Sequence, residues 1–309
     1  MITWKFIILL MCVSAMKKMI ILKDNGGRLA NQLWNFASIY AFCLEKNYQC
    51  RNYAFFRYQH YFNVKYFGIF YRVLAWFYQW RKNYKLCKIF NYAYFRFIKL
   101  FVGQRIISDQ DTDFNLPPSA NESLDQIKIV QEIIDSRAQT YYFNGWLFRN
   151  PVGLAKHLEL VKEYFKPKDE YCSQITKLKN ELKQKYQVVA GVHVRQGDYK
   201  TWQDGRFYYT GSEVADILRD YLNQQKQCQP QEVVFVICSD GPINDNDFAG
   251  LNIVRGPGSE ITDLYMLAET DLIIGSTSTY GTWAAYYGQI PFYHFSHEPV
   301  DWNTKIIPC

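Results

Sequence analysis

The string Val192-His193-Val194-Arg195-Gln196-Gly197-Asp198-Tyr199 follows the apolar run Val188-Val189-Ala190-Gly191. A buried parallel strand would thus end in a histidine, an arginine and an aspartate. Open α/β sheets take their ligands just outside the carboxyl ends of their strands. Arginine's planar fork grips phosphate oxygens in pairs and keeps its charge, so the string reads as an anion site. The plainer reading is structural: a satisfied histidine at a strand end, with Asp198 pairing Arg195 or capping a helix.

Three further segments could meet the same ligand. In Asn25-Gly26-Gly27-Arg28-Leu29-Ala30-Asn31-Gln32, glycines after a strand allow close backbone approach. The helix that follows offers free N–H groups to an anion, with the amides Asn31 and Gln32 in its first turn. The segment spells neither a dinucleotide fingerprint nor a P-loop, so a structural turn competes with this reading. Ser239-Asp240 follows the strand Val233–Cys238, where an acid can hold a ribose or base edge, or serve as a turn residue before Gly241-Pro242. From Asp263 to Ala285, a short helix and a strand lead to Ser276-Thr277-Ser278-Thr279, which opens another helix. One hydroxyl is enough for an N-cap, whereas several at a helix N-terminus suit a phosphate. Asp245-Asn246-Asp247 has the spelling of a metal-binding D-x-D, but it sits in a polar turn after Gly241-Pro242 and reads as loop; no metal is expected.

These residues need a scaffold, and the second half of the chain supplies one. Apolar runs predict strands at 188–194, 233–238, 251–254, 271–275 and 291–295. Helices are expected at 212–226, 261–269 and 279–288, with a long polar helix at about 171–186 before them. That alternation is Rossmann-like. The first half opens with a strand at Met19–Lys23, a glycine turn, and a helix whose core face is Leu29, Leu33, Ala37, Tyr40 and Leu44; Asn31 and Asn35 lie on its other side. Segment 51–108 carries basic residues throughout, no acidic residue, and interleaved Tyr, Phe and Trp. Two or more amphipathic helices are expected there, either lying on an anionic membrane or forming a solvated insert. Residues 109–125 read as a loop, with helical or mixed structure after it.

Composition bounds the class. The 309 residues are 49% hydrophobic and 21% charged, enough for two globular domains. A net charge of +6 fits an anionic ligand or membrane surface, and no nucleic-acid-binding pattern is present. The 8 cysteines are scattered without C-x-x-C spacing, as expected of reduced thiols in the cytoplasm. The apolar run Trp4–Val13 is shorter than the ~20 residues a membrane span needs; it reads as a weak signal segment or as sequence upstream of a start at Met16 or Met19. The expected organisation is an N-terminal extension at 1–18, a domain at 19–170 holding the insert 51–108, and a C-terminal Rossmann-like domain at 171–309 whose strand ends build one site.

Taken together, Gly27–Gln32, Gly191–Tyr199 and Asp263 through Ser278-Thr279-Tyr280-Gly281 to Tyr286 resemble the glycosyltransferase family 11 α-1,2-fucosyltransferases of the H-x-R group. Tyr142-Phe143-Asn144-Gly145-Trp146 is similar to a further family segment only loosely. The resemblance implies an α/β, GT-B-like fold: two Rossmann-like domains facing across a cleft, with the helical aromatic and basic insert in the N-terminal half. It implies metal-independent, inverting transfer of L-fucose from GDP-β-L-fucose to the 2-hydroxyl of galactose in a glycan. Arg195, His193 and Asp198 would then be catalytic, with Arg195 on the β-phosphate. Gly27, Asn31, Gln32, Ser239, Asp240, Asp263, Ser278 and Thr279 would bind the donor, Asp263 through guanine. Asp198, Asp204 and Glu213 are candidate bases by position. Two departures stand out: Ala30 replaces the family's usual glycine, and Gln196 stands where many members carry a second arginine. The alternatives are a related H-x-R transferase with another donor or linkage, and a non-catalytic nucleotide- or glycan-binding protein. The expected location is cytoplasmic, with peripheral membrane contact through 51–108.

Overall fold

The computed structural model describes residues 18–24, 26–64, 69–99, 105–108, 140–145, 148–224, 232–295, 297–303 and 308. The run Trp4–Val13, the loop 109–125 and Trp146 lie outside the described residues. The chain divides into two compact units: Met1–Arg28, Gln32–His60 and Val64–Tyr164 form one, and Leu29–Asn31, Tyr61–Asn63 and Phe165–Cys309 the other.

The first unit holds a parallel sheet in the order β2-β1-β4-β3, built from β1 (Met19–Asp24), β2 (Gln49–Asn52), β3 (Arg105–Ser108) and β4 (Thr140–Asn144). Helix α1 (Leu29–Glu45) connects β1 to β2. Leu29, Leu33 and Ala37 are buried as their spacing predicts, but so are Gln32, Asn35 and Ser38 on the other side. Asn35 donates across to Gly145 O at 2.8 Å, while Ser38 donates back along its own helix to Trp34 O at 2.8 Å. Segment 51–108 contains two helices, α2 (Ile69–Arg81) and α3 (Tyr84–Lys99). Tyr71, Leu74 and Ala75 of α2 and Cys87 and Phe95 of α3 pack with Tyr53, Phe56 and Tyr142 in one core. Tyr71 stacks on Tyr53 at 4.1 Å and donates to Asn91 Oδ1 at 3.2 Å. Two short helices, α4 (Pro151–Lys156) and α5 (Leu158–Tyr164), end the unit.

The second unit holds a five-stranded parallel sheet in the order β7-β6-β5-β8-β9. Its strands are β5 (Val188–Val194), β6 (Val233–Ser239), β7 (Ile253–Arg255), β8 (Leu272–Gly275) and β9 (Phe292–His294). Helices α6 (Asp169–Lys183), α7 (Gly211–Gln224), α8 (Glu260–Leu267) and α9 (Thr279–Gly288) alternate with them. The elements match the expected order; β7 starts later than the predicted 251 because Leu251 closes a turn onto Phe248 O at 2.9 Å. Strands β5 and β6 are almost wholly buried, which is why they read as unbroken apolar runs. The chain runs from β5 outward through β6 to β7, then returns to the other side of β5 for β8 and β9. The reversal falls between β5 and β8, and a doubly wound sheet binds its ligand at such a switch point.

Candidate functional site at the end of strand β5

Arg195 is the first residue past β5, so its position is set by the switch point. Its backbone N–H donates to Ser276 Oγ, just past β8, at 2.9 Å. Its guanidinium is held by two carboxylates: Nε and Nη2 donate to Asp198 Oδ1 at 3.0 and 2.6 Å, and Nη1 lies 3.3 Å from Asp240 Oδ2. Asp240, at the end of β6, also accepts from the backbone N–H groups of Gln196 at 2.7 Å and Gly197 at 3.1 Å. A side chain at Gly197 would collide with that carboxylate, at 2.7 Å from Asp240 Oδ2. Asp240 therefore positions the loop that carries Arg195. Ser239, beside it, accepts from Gly241 N at 3.2 Å.

Gln196, at the position where many family members carry a second arginine, faces inward. Its side chain is buried, donates to Tyr209 O at 3.4 Å, and fills the space left by Gly241. The departure from the family pattern is thus accommodated by packing.

His193 sits within β5, buried and stacked on Tyr280 at 4.8 Å and 25°. Gly275 and Gly281 crowd it so closely that a Cβ on either would press on it, at 3.0 and 3.3 Å. Burial, reinforced by the Arg195 charge and opposed by Asp240, lowers its pKa from 6.5 to about 3. It is neutral at any working pH. The sign of the linkage follows: below its ordinary pKa of 6.5 the unfolded chain takes up a proton that the folded chain refuses until about pH 3. This contribution to stability is complete above that window and is lost as pH falls through it, by about 1.4 kcal/mol per pH unit. Urea unfolding near pH 7 and near pH 5 is expected to show that slope, and His193→Gln to flatten it. An unchanged slope in the variant would mean that other groups carry the acid sensitivity.

Helix α9 opens at the end of β8. Ser278 is its N-cap and accepts from Tyr280 N at 3.2 Å. Ser276 serves Arg195, while Thr277 Oγ1 lies 3.4 Å from His294 Nδ1. Thr279 donates to Asn31 Oδ1 at 2.7 Å, which brings one amide of the glycine-turn segment to this unit's site. Gly27 and Gln32 belong to the first unit, where Gln32 Nε2 donates to Gly27 O at 3.3 Å. Hydroxyls and helix N–H groups beside a guanidinium form an anion-binding geometry.

Asp263 lies on the β7 side. Gly258 N donates to its Oδ1 at 2.7 Å, and a Cβ on Gly256 would meet that same oxygen at 2.8 Å. Burial pushes its carboxyl above the ordinary range, opposed by the Gly258 hydrogen bond. Among the candidate bases, Glu213 accepts from Thr210 N and Oγ1 at 2.8 and 2.7 Å. Those bonds hold its carboxyl below the ordinary range, which suits a cap better than a base. Ser276, Tyr280 and Gln196 lie within the motif segments, but their roles rest on long-range contacts that the motifs do not show: to Arg195, His193 and Tyr209 respectively. Asp245 and Asp247 sit in a 3-10 turn, with Asp245 paired to Arg255. Among the described residues no group of three or more His, Cys, Asp or Glu is arranged to hold a metal ion.

Residues 138–289 match the profile of glycosyl transferase family 11. This stretch is a family 11 glycosyltransferase domain. It spans β4 to the end of α9 and includes Arg195, Asp240, Asp263 and the Ser276–Thr279 turn. No curated protein matches the chain at the level of sequence. Solved structures do match in fold. The Bradyrhizobium fucosyltransferase NodZ is similar with a TM-score of 0.56 and 15% identity, over 95% of this chain and 99% of that one. NodZ α-1,6-fucosyltransferase soaked with GDP-fucose gives 0.57 and 15% over 95% and 100%. A mutant of Arabidopsis thaliana FUT1 in complex with GDP gives 0.54 and 11% over 96% and 75%. The two units are accordingly mixed α/β with parallel sheets, of the GT-B-like class.

Proposed function

We propose that the family 11 domain transfers L-fucose from GDP-β-L-fucose to the 2-hydroxyl of a galactose residue in a glycan, with inversion and without a metal. The observation that carries this reading is Arg195 at the β5/β8 switch point, beside the hydroxyl-rich start of α9. As the glycosidic bond breaks, negative charge grows on the β-phosphate, and Arg195 with the α9 N-terminus would stabilise it. Asp263 would take the guanine edge and Ser239 the nucleoside, with Asn31, held by Thr279, completing the donor site on this unit. His193, being neutral and buried, would shape this edge rather than carry charge. Asp198 would release Arg195 to the diphosphate and be placed to accept the acceptor's proton. The NodZ and FUT1 structures, described with GDP-fucose and GDP, support the donor; the 2-linkage rests on the motif resemblance. The test is incubation with GDP-fucose and a panel of β-galactosides, followed by linkage analysis, with other sugar nucleotides alongside. An α-1,2-fucosylated galactoside is expected. Another linkage would correct the acceptor position, and absence of GDP binding by calorimetry would remove every nucleotide-based reading.

We also propose that α2 and α3 rest on an anionic phospholipid surface. Opposite the buried Tyr71, Leu74 and Ala75, α2 exposes Ile69, Val73, Trp76 and Trp80, and α3 exposes Ile89, Phe90 and Phe97. A helix with a second apolar stripe in water needs a partner. The charge around it selects one: Arg72, Arg81, Lys82, Lys85, Lys88 and Arg96 flank the stripes, and no acid occurs in 51–108. Each basic residue near an anionic leaflet adds about 1 kcal/mol. Among the described residues no helix is long and apolar enough to cross a membrane, so the contact would be peripheral. Cys43, Cys50, Cys87, Cys172 and Cys238 are free thiols, which fits the cytoplasmic face. Phosphatidylserine vesicles are expected to bind the protein in a salt-sensitive way. Neutralising Arg72, Arg81, Lys82, Lys85 and Lys88 together should weaken that binding by more than about tenfold. Equal binding to neutral vesicles, or concentration-dependent dimerisation through the same face, would overturn the proposal.

A further inference from the structure

Past Arg195 the chain builds something that phosphate binding does not require. Asp198–Lys200 and Trp202–Gly205 form two short 3-10 turns. Within the second, Gln203, Asp204 and Gly205 follow one another at φ of 47°, 57° and 76°. Glycine takes that left-handed region freely, but Gln203 and Asp204 hold it against steric resistance. Such strain persists only where surrounding structure enforces it, and it concentrates at binding sites.

The turn displays aromatic rings. Tyr199 and Trp202 lie nearly parallel at 5.1 Å and 23°, and Trp202 meets Phe207 at 5.2 Å and 30°. Tyr199 is anchored: its hydroxyl donates to Thr277 O at 2.7 Å, and the Arg195 guanidinium sits 5.4 Å from its ring centre. Trp202, by contrast, is 45% exposed. Gln203, Asp204 and Arg206 around it are exposed as well. An open aromatic surface rimmed by hydrogen-bonding groups suits a pyranose, which presents a C–H face and a rim of hydroxyls. Galactose suits it well, because its axial 4-hydroxyl leaves one ring face largely C–H.

The sheet order indicates which part of the reaction this surface faces. Asp263 contacts the end of β7, and Arg195 marks β5. The aromatic turn is tied to the opposite side: Tyr199 bonds to Thr277 after β8, and His297, after β9, lies 3.2 Å from Arg206 O. With the diphosphate at Arg195 and the base toward β7, the sugar end of the donor falls toward β8 and β9. We propose that Tyr199, Trp202 and Phe207 form the platform for the acceptor sugar ring, with Gln203, Asp204 and Arg206 reading its hydroxyls; this rests on the fucosyl-transfer reading above.

The test uses the full chain with Trp202→Ala and Trp202→Phe, lactose as acceptor, and two readouts without acceptor: GDP calorimetry and slow hydrolysis of GDP-fucose. For Trp202→Ala, KM for lactose should rise about tenfold, the gain a stacked ring pair can supply. GDP affinity and hydrolysis should stay at the wild-type level, and Trp202→Phe should recover most of the loss. An unmoved KM for lactose, or a fall in GDP affinity showing that the ring serves the base, overturns the platform alone. If the wild type binds no GDP, the donor reading falls and the platform with it.

Discussion

Arg195→Ala is expected to lower kcat with GDP-fucose by about two to three orders of magnitude while the KM for GDP-fucose rises by less. The asymmetry comes from where the charge is. In the free protein the guanidinium is already held by Asp198 and Asp240, so an incoming diphosphate gains only what displacing those contacts leaves. In the transition state the β-phosphate oxygens carry more charge, and the same guanidinium gains more. Removing it also leaves two carboxylates facing the diphosphate, which adds repulsion. The fold should tolerate the change, because Asp240 keeps its bonds to the Gln196 and Gly197 N–H groups. Arg195→Lys restores the charge without the planar fork, so it should recover part of the rate. Steady-state kinetics over a range of GDP-fucose concentrations, separating kcat from KM, decides the matter. Unchanged turnover in a folded Arg195→Ala protein would show that Arg195 has no part in the chemistry.

The second unit was readable in sequence because its strands are buried on both faces. Val188–Val194 and Val233–Cys238 have nowhere polar to point, so the apolar run and the polar residue that ends it both announce themselves. Arg195, Asp240 and Ser278 stand at such ends, and that made them visible. What stayed hidden depends on partners distant in sequence. Gln196 read as a missing arginine until Gly241 and the Tyr209 carbonyl showed why an amide fits there. Asp240 was legible as an acid at a strand end, but its support of the loop after β5 was not, since that depends on the register that places Val194 beside Ser239. In α1, period alone put Asn35 on the side away from the core face, and its bond to the Gly145 carbonyl, 110 residues away, is invisible to any local pattern. The left-handed Gln203 and Asp204 carry no local signal at all, since neither residue type demands that conformation.

Gly288→Ala is expected to lower the thermal midpoint by about 6–12 °C, corresponding to about 3 kcal/mol in a domain of this size. Gly288 is the last residue of α9, and a Cβ there would lie 2.2 Å from Ala268 O, 3.0 Å from Ala268 C and 3.1 Å from Ala268 Cα. All three are backbone atoms at the end of α8, so no rotamer change can clear the space. Alanine's better helix propensity returns about 1 kcal/mol at most, less than the overpacking costs. The two helices must separate, and α9 carries the Ser278–Thr279 turn at its other end. GDP affinity should therefore fall at temperatures where the variant is still folded. Gly250→Ala is the control: its φ of +83° imposes strain, but nothing lies within 4 Å of the new methyl. That variant should lose about 1 kcal/mol and keep its GDP affinity. Equal midpoints for the two variants would mean that α8 and α9 have slack to give. The packing between them could then not be what fixes the start of α9 against Arg195.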